Sequence, residues 1–202
     1  MLAATALAAT SCATGLRPYF EDTPTVVGTT TGDPAIDAVL GLYDQVDFVT
    51  FTASYDVQLL FGGVTTAASV TQSTSPSGRE VTIGTVRFTT DASGTRTCRL
   101  DAGTCAEGID AAAVSNTGVT PEFAFGDMAK RLRRDAASRV GAGVPSTIDV
   151  AGLTATCVDV PVAGGTKQYC SLADGVLAKF VGADVLIDLT EYRPEATPLS
   201  AG

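Results

Sequence analysis

Two pairs of cysteines, each set symmetrically about a turn-forming stretch, constrain this chain's fold more than any other feature. The midpoint of Cys157 and Cys170 falls between Ala163 and Gly164, inside Val162-Ala163-Gly164-Gly165. A two-residue hairpin turn there sets the two cysteines opposite each other on neighbouring strands. Facing residues of an antiparallel pair lie within the Cα separation that a disulfide tolerates. Cys98 and Cys105 likewise flank Asp101-Ala102, beside Gly103. The spacings C-x6-C and C-x12-C differ from the tight pairs of a zinc ribbon, so two hairpin disulfides, Cys98–Cys105 and Cys157–Cys170, are expected rather than a metal site. Free buried cysteines are the remaining alternative. Disulfides imply an oxidising compartment.

Hydrophobic periodicity fills in the rest. Asp33-Pro34 opens a helix, with Asp33 as N-cap and Pro34 in the first turn, and Ile36, Val39, Leu40 and Tyr43 recur on one helical face. From Phe48 the period becomes two: Phe51, Ala53, Tyr55, Val57, Leu59 and Phe61 alternate with polar residues, a long half-buried strand. Val64–Val70, Val81–Thr89 and Thr95–Leu100 follow as strands of a meander. Ala106–Gly118 reads as a loop with a short helical turn. A second helix is predicted from Thr120-Pro121 to about Val140, with Phe125, Met128, Leu132, Ala136 and Val140 along one stripe. Five strands then close the chain, from Thr147 to Tyr192, with Asp174-Gly175 as a hairpin signal. Helix, meander, helix, meander is an α+β pattern, with helices on one face of an antiparallel sheet. The expected organisation is a leader remnant over 1–11, a Thr/Pro/Gly-rich tether over 12–33, one domain over 34–195 and a short tail over 196–202.

Composition narrows the function classes. The net charge of −9 argues against nucleic acid, which demands clustered Lys and Arg. The absence of histidine removes Ser-His-Asp and Cys-His catalysis and His-ligated zinc. With no other catalytic signature, the chain is not expected to be an enzyme, and no cofactor or metal is expected.

The apolar run Leu2–Ala9 ends in Thr10-Ser11-Cys12, which resembles the lipobox of bacterial lipoprotein signal peptides. That resemblance implies cleavage before Cys12, acylation of Cys12 and anchoring to the outer face of the cell membrane. No Lys or Arg precedes Cys12, so a translation start upstream of Met1 is expected. Cys12 is also the one cysteine outside the two symmetric pairs.

The order of elements, the lipobox-like Thr10-Ser11-Cys12, the tether, the helix before Phe51–Phe61 and the ending Tyr169–Leu177 with Leu186–Tyr192 together resemble the LolA-like superfamily, in particular the LppX/LprG-type actinobacterial lipoproteins. The resemblance implies a strongly curved, half-barrel-like sheet wrapped around helices. It also implies an acyl chain or glycolipid held in the gap and carried across the envelope. Phe51, Tyr55, Val57, Leu59 and Phe61 are the candidate cavity wall; the same row also fits plain core, which apolar strand faces usually form. The helix around Lys130 concentrates base, with Lys130, Arg131, Arg133, Arg134 and Arg139. These face either anionic headgroups or an acidic partner, or form a solvated outer face. The expected function is that of an exported, lipid-anchored envelope protein that binds or carries a lipid or other apolar ligand. The alternative is a lipid-anchored structural or interaction domain with a filled core and an envelope protein partner.

Overall fold

The computed structural model describes residues 28–199. Helix α1 (Pro34–Tyr43) starts where Asp33 accepts N–H bonds from Ala35 and Ile36 at 3.1 and 3.3 Å, and it buries Ile36, Val39, Leu40 and Tyr43. A 3₁₀ turn, Val46–Phe48, leads into the first meander. Its strands are β1 (Phe51–Leu59), β2 (Val64–Thr74), β3 (Ser77–Ile83), β4 (Val86–Asp91), β5 (Gly94–Arg99) and β6 (Thr104–Glu107). Helices α2 (Ala111–Thr117) and α3 (Gly126–Ala137) come next. The second meander is β7 (Val144–Val150), β8 (Leu153–Val162), β9 (Gly165–Ser171), β10 (Leu177–Val181) and β11 (Val185–Arg193).

The eleven strands among the described residues form one open, curved antiparallel sheet in the order β6-β5-β4-β3-β2-β1-β11-β10-β9-β8-β7. The first and last strands meet at its centre, where Thr52 faces Arg193 and Leu59 faces Val185, with a bulge at Ser54/Tyr55. The fold is therefore the expected α+β half-barrel, with the helix residues Ile36, Met128 and Leu132 and the turn residues Phe123 and Phe125 buried in the same core as the strand residues Phe51, Tyr55 and Phe180.

Several expectations about element limits are corrected. The segment Val81–Thr89 belongs to two strands, because Gly84 at φ +57° turns the chain between β3 and β4. Ala106–Gly118 supplies the second half of β6 and all of α2, which ends at Gly118 in the left-handed region. The second helix begins only at Gly126: Pro121–Phe125 forms turns, and Thr120 Oγ1 donates to Asp127 instead of capping the helix at its own position. Val140 lies beyond that helix and is exposed.

Both expected disulfides are present. Cys157 faces Cys170 across a two-residue Ala163-Gly164 turn, and Cys98 faces Cys105 across β5 and β6. The first pair is fully buried and the second is partly exposed.

Candidate binding surface

The proposed cavity row on β1 divides. Phe51, Tyr55 and Val57 are buried, Val57 at 1 % exposure, and aromatic rings from the segment before α3 pack on Phe51 and Tyr55. Phe125 lies 6.1 Å from Phe51, and Phe123 packs edge-on against Tyr55 at 5.3 Å. Tyr55 donates its hydroxyl to the Leu177 carbonyl at 3.1 Å, so even its polar tip is satisfied inside. Leu59 is half-buried and lies against Gly118, where an added Cβ would meet it at 2.6 Å. Phe61 departs from the expectation: it sits in the Leu60–Gly63 turn and is 85 % exposed, beside exposed Leu60 and Val64. The gap beside Phe123, Met128 and Ile187 measures only about 10 Å³.

The basic residues do not form one continuous face. Arg133 is 8 % exposed and donates to Asp44 at 2.5 Å. Arg139 donates to the Ala136 carbonyl at 2.7 Å and lies 3.8 Å from Asp33. Arg131 approaches the Phe180 ring, 5.7 Å from its centre. Lys130 and Arg134 remain exposed, Lys130 with a loose 3.8 Å contact to Asp127. The run therefore serves mainly to tie α3 to α1 and the sheet. Cys12 lies outside the described residues.

Two surface features were not singled out in the sequence. One is a cluster about Arg79, which donates to Gln72 at 2.7 Å and Asp47 at 2.5 Å, stands 4.4 Å above the Phe125 ring and contacts Glu122 at 3.4 Å. Burial pushes the Glu122 carboxyl above its ordinary range, with Arg79 opposing. With exposed Phe48 it borders a cleft of about 360 Å³.

The other is an open cleft of about 1010 Å³ between the start of α1, the end of α3 and the start of β7, lined by Ala35, Ala38, Ala136, Gly141, Gly143 and Arg139 among others. Gly143 is small for a reason: a Cβ there would fall 2.9 Å from both Ile36 and Val158. Its N–H donates to Asp33 at 2.8 Å, and that bond leads in holding the Asp33 carboxyl below its ordinary range. The only trace of this cleft in the sequence is the small-residue run Gly141-Ala142-Gly143.

No helix among the described residues is long and apolar enough to cross a membrane, and no group of three or more His, Cys, Asp or Glu suited to a metal occurs among them. No protein-family model matches the chain, and no curated protein matches it by sequence. Solved structures share the fold. A crystal structure of MucB in complex with MucA(peri) matches at a TM-score of 0.54 and 12 % identity, covering 83 % of this chain and 60 % of that one. MucB alone gives 0.53 and 14 %, covering 85 % and 64 %. The MucA/MucB complex of Pseudomonas aeruginosa gives 0.54 and 13 %, covering 83 % and 61 %. The chain thus spans less than two thirds of the MucB chains that it matches. MucB has a LolA-like fold, so the likeness supports the LolA-like resemblance at the level of fold.

Proposed function

We propose that this is an extracytoplasmic binding domain, anchored through an acylated Cys12, that docks a protein partner on its outer surface. The filled interior carries the reading: Phe125 packs on Phe51 and Phe123 on Tyr55, and Val57 beside them is buried. A drug-sized or lipid ligand needs roughly 300–1,000 Å³ of concave space, and the interior gap beside Phe123, Met128 and Ile187 measures only about 10 Å³. Two disulfides support an oxidising compartment. That MucB is solved in complex with MucA supports a protein as the kind of partner.

A carrier of acyl chains or glycolipids is the second reading, favoured by the exposed apolar tip Leu60, Phe61 and Val64. Native mass spectrometry of the protein taken from its own membrane separates the two. A co-purifying polypeptide at fixed stoichiometry with no lipid is the expected result. A lipid released only on unfolding establishes the carrier instead. Cys12→Ala is expected to free the protein from the membrane in either case, and undiminished membrane association would remove the anchor from the reading.

A further inference from the structure

Among the described residues the sheet ends in two edge strands, β6 and β7, and they differ. β6 is four residues long and tied to β5 by the Cys98–Cys105 disulfide. β7 is seven residues long and, among the described residues, pairs with β8 alone. Short, stapled edges are blunt; a longer free edge is a template for another backbone.

The register fixes which groups β7 presents outward. Val150 and Leu153 close a two-residue turn, Ala151-Gly152, with φ +51° and +75°, and such a closing pair exchanges hydrogen bonds. Alternate residues then bond inward, so Ile148, Ser146 and Val144 face β8, while Asp149, Thr147 and Pro145 direct their main-chain groups outward. The β8–β9 side agrees. Cys157 and Cys170 stand 4.0 Å apart at Cα, the close spacing of a pair that does not exchange hydrogen bonds, so Cys157 bonds toward Ser146. Pro145, which lacks an N–H, falls in the outward set.

We infer that the outer edge of β7, together with the cleft beyond Pro145, binds an extended segment of a partner protein that carries an acidic residue toward Arg139. This rests on the protein-docking reading above and names its site. A row of N–H and C=O groups is matched by another main chain and by nothing in an acyl chain. A strand added to β7 and continued past Pro145 runs over Gly143 and Gly141 into the cleft of about 1010 Å³, where alanines and glycines leave room for a large side chain.

Charge sets the direction. Asp33 is buried and already accepts three N–H bonds, whereas Arg139 is 29 % exposed in the cleft wall. At the other end Asp149 is exposed, so an incoming segment fits with its acid at the cleft and a basic or neutral residue at the turn. A second copy of this chain fits less well. Stable protein pairs use about 20–30 residues a side, and the Pro145 and Asp149 of one edge would face those of another. Such residues on an edge discourage self-pairing.

The test uses residues 28–199 within the full chain and a displayed library of random twelve-residue peptides. Enriched peptides are expected to alternate β-formers and to carry an acid at one end. Thr147→Pro, which removes one outward N–H and leaves the β8 bonds intact, should weaken them by about tenfold or more, and Arg139→Gln should weaken the acidic ones. Hydrogen exchange on the unaltered protein supplies a readout independent of any variant: the Thr147 and Asp149 amides should be protected by bound peptide. Protection confined to the Leu60–Val64 tip or the Arg79 cleft overturns this site while leaving protein docking intact. Failure to enrich any peptide overturns it as well, and the mass-spectrometric result then decides whether the docking reading survives.

Discussion

Arg133 on α3 and Asp44 at the end of α1 form a nearly enclosed ion pair, 2.5 Å apart with side chains 8 % and 15 % exposed. Asp44 also accepts the Gly28 N–H at 3.2 Å, so the segment before α1 is held at the same point. Breaking one partner of a buried pair typically costs about 3–5 kcal/mol, because the other charge is left stranded. Arg133→Met is expected near the lower end of that range, since Asp44 retains some solvent. The double variant Arg133→Met/Asp44→Leu should recover most of the loss. Urea unfolding of the three proteins checks this; equal losses in the single and double variants would show the pair to be uncoupled.

The two disulfides should respond in sequence to reductant. Cys98–Cys105 is partly exposed and Cys157–Cys170 is fully buried. Alkylation under mild dithiothreitol should label Cys98 and Cys105 while the fold persists, and Cys157 and Cys170 only on unfolding. Replacing the buried pair should cost about 3 kcal/mol, the value for a loop of that size. Simultaneous labelling of all four cysteines would contradict this order.

Alkaline and acid limbs of stability have different origins. Tyr43, Tyr55, Tyr169 and Tyr192 are all raised above the ordinary phenol value, chiefly by burial; the Asp135 carboxylate adds to this at Tyr169 and the Asp174 carboxylate at Tyr192. Groups raised in the folded state stabilise it fully below the unfolded value of about 10 and lose that contribution as pH rises further. Phenolate absorbance from these four should therefore appear together with loss of near-ultraviolet dichroism, not before it. Asp33 is lowered, so its contribution is present above about pH 4 and is lost as pH falls through its folded value. Asp33→Asn should flatten that acid limb.

Val57 offers a direct test of how full the interior is. Val57 is 1 % exposed in the same core as Phe51 and Tyr55, so the larger ring of Val57→Phe has little space to enter. A loss of about 1–3 kcal/mol is expected from overpacking. Unchanged thermal stability would reveal hidden room and favour the carrier.

Much of this was legible because it is local. The Ala163-Gly164 turn and the cysteines symmetric about it specify a register within fourteen consecutive residues, Cys157–Cys170. The buried residues of α1 follow from spacing alone. Phe61 misled because alternation says nothing of where a strand stops, and the Gly62-Gly63 pair ends it earlier, both glycines having positive φ. The basic run misled for another reason: Arg133 and Arg139 find Asp44 and Asp33 on a distant helix, and only the packing of α3 on α1 brings those charges together. The cleft is a property of topology, and the one local mark of the β7 edge is Pro145, since a proline within a strand suits an edge.

The central position of β1 beside β11 has a consequence for how the molecule is made. A chain emerging from a ribosome or a translocation pore delivers β1 first and β11 last, yet Thr52 must meet Arg193. Until then β1 has one unmatched side, next to a stretch from Val57 to Gly78 that contains no Asp, Glu, Lys or Arg to discourage clumping. Contacts this remote in sequence form slowly, and a half-finished sheet with an open seam is vulnerable to aggregation. The newborn protein is thus at its most fragile just before its final strand arrives, and a chaperone that shields β1 and β2 during that interval should raise its yield more than one acting on the second meander.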